Sequence, residues 1–194
     1  FRRDHLCELL WELPDDPRGS LRWSLSKLRR LVDDDDRPRI VADRNQVAFD
    51  AEGVAIDVVE LRGLVEGGLE AVSTPMLEQA AARFQGNFLE GLDLTQQHAF
   101  YAWCVSERDR VARDQTLLLK ALIGRLSDEP ERALPHARAL VVRSPYDEAA
   151  RAELIRLLMR SGRSEEAEQQ LRLGEQMLNE VGGRSQGLLV EARY

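Results

Sequence analysis

From Val58 almost to its end, the chain repeats apolar residues at steps of three, four and seven, and only turn-forming residues interrupt the pattern. That periodicity constrains the fold most, because an apolar stripe at helical spacing must be buried against another helix. Phe100, Trp103, Cys104, Val111, Leu118, Leu122 and Leu126 form one stripe. Ala133, Leu134, Ala137, Leu140 and Val141 form a second, and Ala150, Leu154, Leu157 and Leu158 a third. The spacing predicts helices over 58–70, 74–82, 96–126, 131–143, 147–161, 164–179 and 186–193. Breaks are expected at Gly86-Asn87, Glu90-Gly91, Pro130, Ser144-Pro145, Ser161-Gly162 and Gly182-Gly183, where turn chemistry is concentrated.

The last third also repeats itself. A shift of about 34 residues pairs Ala133 with Ala167, Arg138 with Arg172, Leu154 with Leu188 and Ile155 with Leu189. Two helices per unit at that period is the tetratricopeptide signature, although so few matches leave coincidence open. A single such hairpin cannot bury its own apolar face, so neighbouring units must stack.

The beginning of the chain reads differently. Asp4 to Trp11 predicts a short helix with Leu6, Leu9 and Leu10 on one side, and Pro14-Asp15-Asp16-Pro17 breaks it. A second helix is expected over 17–32, with Leu21, Leu25, Leu28 and Val32 facing a core. Asp33-Asp34-Asp35-Asp36 opposes the helix dipole at its C-terminal end and reads as a stop signal and a solvated turn. The only strand-like stretch follows. Arg39-Ile40-Val41-Ala42, a polar Asp43-Arg44-Asn45-Gln46 turn and Val47-Ala48-Phe49 predict a β-hairpin.

Composition narrows the functional classes. A hydrophobic share of 43% and a charged share of 31% over 194 residues fit one or two globular domains. No run approaches the ~18 uncharged apolar residues of a membrane span, and no signal peptide pattern opens the chain, which predicts a cytoplasmic protein without a membrane partner. Cys7 and Cys104 are too few and too far apart for a disulfide framework or thiolate metal site, so both are expected to be free and buried. A net charge of −7 excludes a general nucleic-acid coat. The segment 21–32 nevertheless carries Arg22, Lys27, Arg29 and Arg30 with no acid.

That segment holds the candidate site. With its leucines turned to a core, Arg22, Ser26, Arg29 and Arg30 point away from it, flanked by Trp23 and Lys27. A helix of ~10–12 Å diameter fits the ~12 Å major groove of DNA, where arginine pairs with guanine edges or phosphates. The same pattern also suits an ordinary amphipathic helix with a solvated basic face. The hairpin that follows supplies the helix–turn–helix–wing order, with Arg44 and Asn45 at the tip where a wing meets phosphate or minor groove. His5, His98 and His136 have no acid or nucleophile at a telling spacing, and Gly67-Gly68 and Gly182-Gly183 lack the Lys-Ser/Thr of a phosphate loop. The chain is therefore expected to be no enzyme and to need no cofactor or metal. Trp103 and Tyr101, close to Phe100, read as core aromatics, with a ligand or partner pocket as the alternative.

The stretch from Ser20 through Arg22-Trp23 and Lys27-Leu28-Arg29-Arg30 to Leu31 resembles the recognition helix of OmpR-type winged helices, as found in SARP-type bacterial activators. Arg3-Asp4-His5-Leu6 through Leu10-Trp11 resembles the helix before it. Ile56-Asp57-Val58-Val59-Glu60-Leu61 and Phe84-Gln85-Gly86-Asn87-Phe88-Leu89-Glu90-Gly91-Leu92 resemble the start of the bacterial transcriptional activator domain. Trp103 with Glu107-Arg108, Ser144-Pro145-Tyr146-Asp147-Glu148, Leu158-Met159 and Ser161-Gly162-Arg163 continue that pattern in order.

The resemblance implies a mainly α fold. A partial winged helix-turn-helix with a β-hairpin wing, residues 1–55, would precede an all-α TPR-like helical repeat domain, residues 56–194. It implies a DNA-binding transcriptional activator whose helical module serves dimerisation or effector contacts. The expected partners are double-stranded DNA, RNA polymerase and a second copy in a homodimer. Arg22, Trp23, Ser26, Lys27, Arg29 and Arg30 would face the groove, and Arg44 and Asn45 would lie on the wing. The strands and first helix that cover Leu6, Leu10, Leu25 and Leu28 in that family do not precede Phe1 here, so the chain is expected to be a piece of a longer protein. The alternative is a protein-interaction or ligand-sensing module of a larger signalling protein with a vestigial DNA-binding half.

Overall fold

The structure is a computed structural model and describes residues 1–11, 16–34, 37–84, 86–92, 94–95, 97–180 and 187–193. It is mainly α-helical with one antiparallel β-hairpin. In order these are α1 (Arg3–Leu10), α2 (Pro17–Val32), β1 (Ile40–Ala42), β2 (Val47–Phe49), α3 (Asp57–Gly67), α4 (Thr74–Arg83) and α5 (His98–Arg125). α6 (Pro130–Arg143), α7 (Glu148–Arg160), α8 (Ser164–Glu180) and α9 (Leu188–Glu191) complete the chain. Helix ends fall within about one turn of the expected ones, with the largest difference at the end of 58–70. There the chain leaves α3 at Gly68, whose φ of 89° suits only glycine, and makes a short 3₁₀ turn at Leu69–Ala71. The predicted breaks at Pro14-Asp15 and Gly182-Gly183, and the predicted helix starts at Gln96 and Gln186, lie outside the described residues.

Two compact units divide the chain. The first comprises residues 1–57 and 86–111, the second 58–85 and 112–194, so α5 contributes its beginning to one and its end to the other.

In the first unit, α1 packs on α2 and α2 on β1. Asp16 caps α2 by accepting from the Gly19 amide at 2.7 Å, and Pro17 occupies the first turn, where its missing N–H costs nothing. A Cβ on Gly19 would stand 2.2 Å from the Asp16 carboxylate, so glycine is what lets that cap fold back. Cys7, Leu21, Leu25, Ile40 and Val47 form a small core, with Leu6, Trp11, Val32 and Ala42 packed partly against it. Leu28 does not join them. It is 44% exposed, which corrects its placement on the core face: the core that takes in Leu21 and Leu25, and Val32 in part, does not extend over Leu28.

The hairpin pairs Ile40 with Phe49 and Ala42 with Val47. Phe1 extends it: its backbone nitrogen donates to the Val47 carbonyl and the Val47 amide donates back to the Phe1 carbonyl, both at 2.8 Å. Asp33 is not the solvated turn residue expected of an acidic run. It is half-buried, and its carboxylate accepts from the amides of Arg39 (2.8 Å) and Ile40 (3.1 Å), pinning the start of β1 to the end of α2. Asp35 and Asp36 lie outside the described residues.

In the second unit α6, α7, α8 and α9 pack in succession. α6 and α8 begin 34 residues apart (164 − 130), the same spacing as the repeat in the sequence. The stripes are buried as their periodicity predicts: Ala133, Leu134, Ala137 and Leu140 on α6, and Ala150, Leu154, Leu157 and Leu158 on α7. Asp147 caps α7 by accepting from the Ala150 amide, and Gly162 turns the chain into α8 at φ 71°. One buried charge breaks the apolar pattern. Arg151 is 3% exposed and donates to Gln170 Oε1 (2.8 Å) and the Pro145 carbonyl (3.1 Å). Gly174 makes room for it, since a Cβ there would come within 2.5 Å of Arg151 Cδ and 2.8 Å of Leu189.

Candidate nucleic-acid interface

α2 has two faces of opposite character. Leu21 and Leu25 are buried, whereas Arg22, Trp23, Ser26, Lys27 and Arg30 are all exposed. Lys27 Nζ lies 3.6 Å from the centre of the Trp23 ring, a cation–π contact that holds two long side chains side by side in solvent. Arg22 stands 3.7 Å from Asp16, with both side chains about two-thirds exposed. A pair so open to water contributes little, so the guanidinium can be taken by a stronger anion. Arg29 is set apart from the others. It is half-buried and its Nε donates to the Ile40 carbonyl at 3.3 Å, so it ties α2 to β1 rather than standing free in solvent.

The hairpin tip is built around Asp43. Its carboxylate accepts from the amides of Asn45 and Gln46, both at 2.7 Å, and these two bonds hold the Asp43 carboxyl below its ordinary pKa. Arg3 Nε donates to the Asp43 carbonyl and the Arg3 amide to the Asn45 carbonyl, each at 2.8 Å. Arg44 and Asn45 are therefore displayed, exposed, from a turn whose backbone is fixed on both sides.

Several cations are unavailable. Arg18 pairs with Asp4 at 2.6 Å, Arg37 with Asp50 and Glu52, and Arg39 with Asp34 at 3.1 Å. Among the described residues, Lys27, Arg30 and Arg44 make no ion pair. Periodicity alone identified which side of α2 is exposed. It could not separate Arg29 from Arg30, because that distinction depends on where β1 returns.

The motif residues from the middle of the chain meet in the first unit. The Phe88 and Trp103 rings pack edge to face at 6.0 Å, with Phe100 next to Trp103 at 5.5 Å. Arg108 donates to the carbonyls of Phe88 (3.0 Å), Leu89 (2.8 Å) and Leu92 (3.1 Å) and fastens the loop onto α5. Phe100 is buried and Trp103 half-buried, but Tyr101 is 44% exposed and stands outside the core expected for it. Cys7 and Cys104 are free and buried. His5 and His98 are exposed, and burial pulls His136 below the usual histidine pKa. No helix among the described residues is long and apolar enough to cross a membrane.

The helical part defines a transcription-activator-related protein once it is compared with known families. The model of the bacterial transcriptional activator domain matches residues 56–191, and the chain belongs to that family. No match was found among curated proteins or solved structures.

Proposed function

We propose that the chain is part of a DNA-binding transcriptional activator. In this reading α1 and α2 form the helix–turn–helix of a partial winged helix, α2 enters the major groove, and the β1–β2 hairpin is the wing. The observation that carries it is the division of α2: leucines buried on one side, and Arg22, Ser26, Lys27 and Arg30 exposed on the other with no acid in the helix. Membership of the activator-domain family supports the regulatory half of the reading. The helices from α3 onward serve as a TPR-like module for dimerisation or for contacts with RNA polymerase, and no catalytic step is assigned to the chain.

Selection from a random duplex pool should enrich a defined site. Replacing Arg22, Lys27 and Arg30 together by alanine should weaken binding at least about tenfold and lower the salt slope by about one for each phosphate no longer neutralised. Arg44→Ala should weaken binding evenly across sequences, as expected of a side chain that meets phosphate. Salt-insensitive binding, or full affinity in the triple variant, would remove α2 from the interface.

A further inference from the structure

The exposed side of α2 carries one large aromatic side chain among its cations. Trp23 lies two residues after Leu21 and two before Leu25, both buried. At about 100° per residue, that position points almost directly away from the core. Its side chain is 62% exposed. An indole standing in water at the centre of an outward face is a ready anchor for a partner, since buried tryptophan is among the side chains that dominate binding energy.

The surroundings of the ring narrow that partner. Lys27, one turn further along α2, places its Nζ 3.6 Å from the ring centre. Toward the start of the helix the ring instead borders an open recess of about 430 Å³, lined also by Trp11, Asp16, Gly19, Ser20 and Ser24. The recess stays shallow-walled because position 19 has no room for a side chain beside the Asp16 carboxylate. That carboxylate repels phosphate, so the recess suits an uncharged group while Lys27 suits an anion. In the major groove, the apolar feature of a base pair is the C5-methyl of thymine, and the other bases offer hydrogen-bonding groups there.

We propose that Trp23 is the thymine-reading residue of α2, its indole packed on the C5-methyl and braced by Lys27. This rests on the reading of α2 as the helix that enters the major groove.

The duplex selected by the whole protein is remade with deoxyuridine at one thymine at a time, which removes the methyl and keeps the base pair. Competition binding at fixed salt is the readout. At one or two positions the native protein should bind the uracil duplex about three- to fivefold more weakly, the worth of one buried methyl group. Trp23→Ala should bind thymine and uracil duplexes equally. Trp23→Phe, with its smaller ring, should reduce the discrimination, and it carries the comparison if Trp23→Ala binds too weakly to measure. Both variants are expected to keep the native circular dichroism, because the side chain is exposed. Neither the missing methyl nor the Trp23 variants should change the salt slope, whereas Lys27→Ala should lower it by about one. Failure to select any site overturns the DNA-binding reading and this one with it. A selected site that binds equally well with uracil at every thymine leaves DNA binding standing and overturns the role of Trp23. Discrimination that survives undiminished in the Trp23 variants does the same.

Discussion

The interior beneath α1, α2 and the hairpin contrasts with the interior shared by α6, α7, α8 and α9. Among the described residues the first consists of five buried side chains, one of them a cysteine. The second includes Leu134, Leu140, Leu154, Ile155, Leu157, Leu158 and Leu189, all fully buried. At ~1.5–3 kcal/mol for each large side chain taken out of water, apolar burial alone can hold the second. The first relies more on polar pins: Asp33 on β1, Asp43 in the turn, Arg37 on Asp50, and the paired backbone of Phe1 and Val47. Helices that bury leucines tolerate change on their outer faces. A unit held by carboxylates is sensitive to single polar substitutions and to pH.

Leu157→Ala should show this most strongly. Leu157 is completely buried in the last turn of α7, and its truncation is expected to cost ~2–5 kcal/mol, read from the shift of a chemical denaturation curve. A loss below ~1 kcal/mol would mean that the neighbours collapse into the gap and that the packing is loose. Gly174→Ala tests the same interior from the opposite direction. The added methyl meets Arg151 and Leu189, and overpacking of this kind costs ~1–3 kcal/mol. An unchanged or raised stability would show that the Arg151 side chain moves aside easily.

Asp33→Ala moves the test to the polar pins. It leaves the amides of Arg39 and Ile40 without their acceptor and should cost ~1 kcal/mol, with faster hydrogen exchange at Ile40 as the local readout. Equal protection of Ile40 in the variant would show that the hairpin register holds without this pin.

What the sequence revealed followed the same division. Stripes such as Ala133-Ala137-Leu140 and Leu154-Leu157-Leu158 were legible because helical burial is a local, periodic property. The hairpin was legible from alternation around a polar turn. Leu28 departs from its stripe because periodicity marks a face but not how much core exists to receive it. Arg151 was invisible for a related reason: a polar residue on an apolar stripe looks like noise until its neighbours are known. Arg29, Arg30 and Lys27 look alike in sequence, yet the return of β1 engages only Arg29. Part of the candidate interface was thus readable as a face, while the availability of each cation depended on tertiary partners.

The smallest expected effect lies in the hairpin turn and depends on pH. Hydrogen bonds from the Asn45 and Gln46 amides favour the ionised Asp43 carboxyl, so its pKa in the folded chain is below the ~3.9 of an unfolded aspartate. Its contribution is therefore fully present above the unfolded value and is lost as pH falls through the lower folded value. Asp50, held down by the Glu52 amide and by Arg37, acts in the same direction at the end of β2. Protection of the Asn45 and Gln46 amides, corrected for intrinsic exchange, should persist below the pH at which a free aspartate is protonated and drop as the solution is acidified through the lower folded pKa. Asp43→Ala should show low protection already at neutral pH, with no acid-dependent loss at these two amides. Asp43→Asn keeps a neutral acceptor, so it should retain part of the protection and lose its pH dependence. If Asp43→Ala keeps full protection of these two amides at neutral pH, Asp43 is not what fixes the turn, and the bonds from Arg3 carry the tip instead.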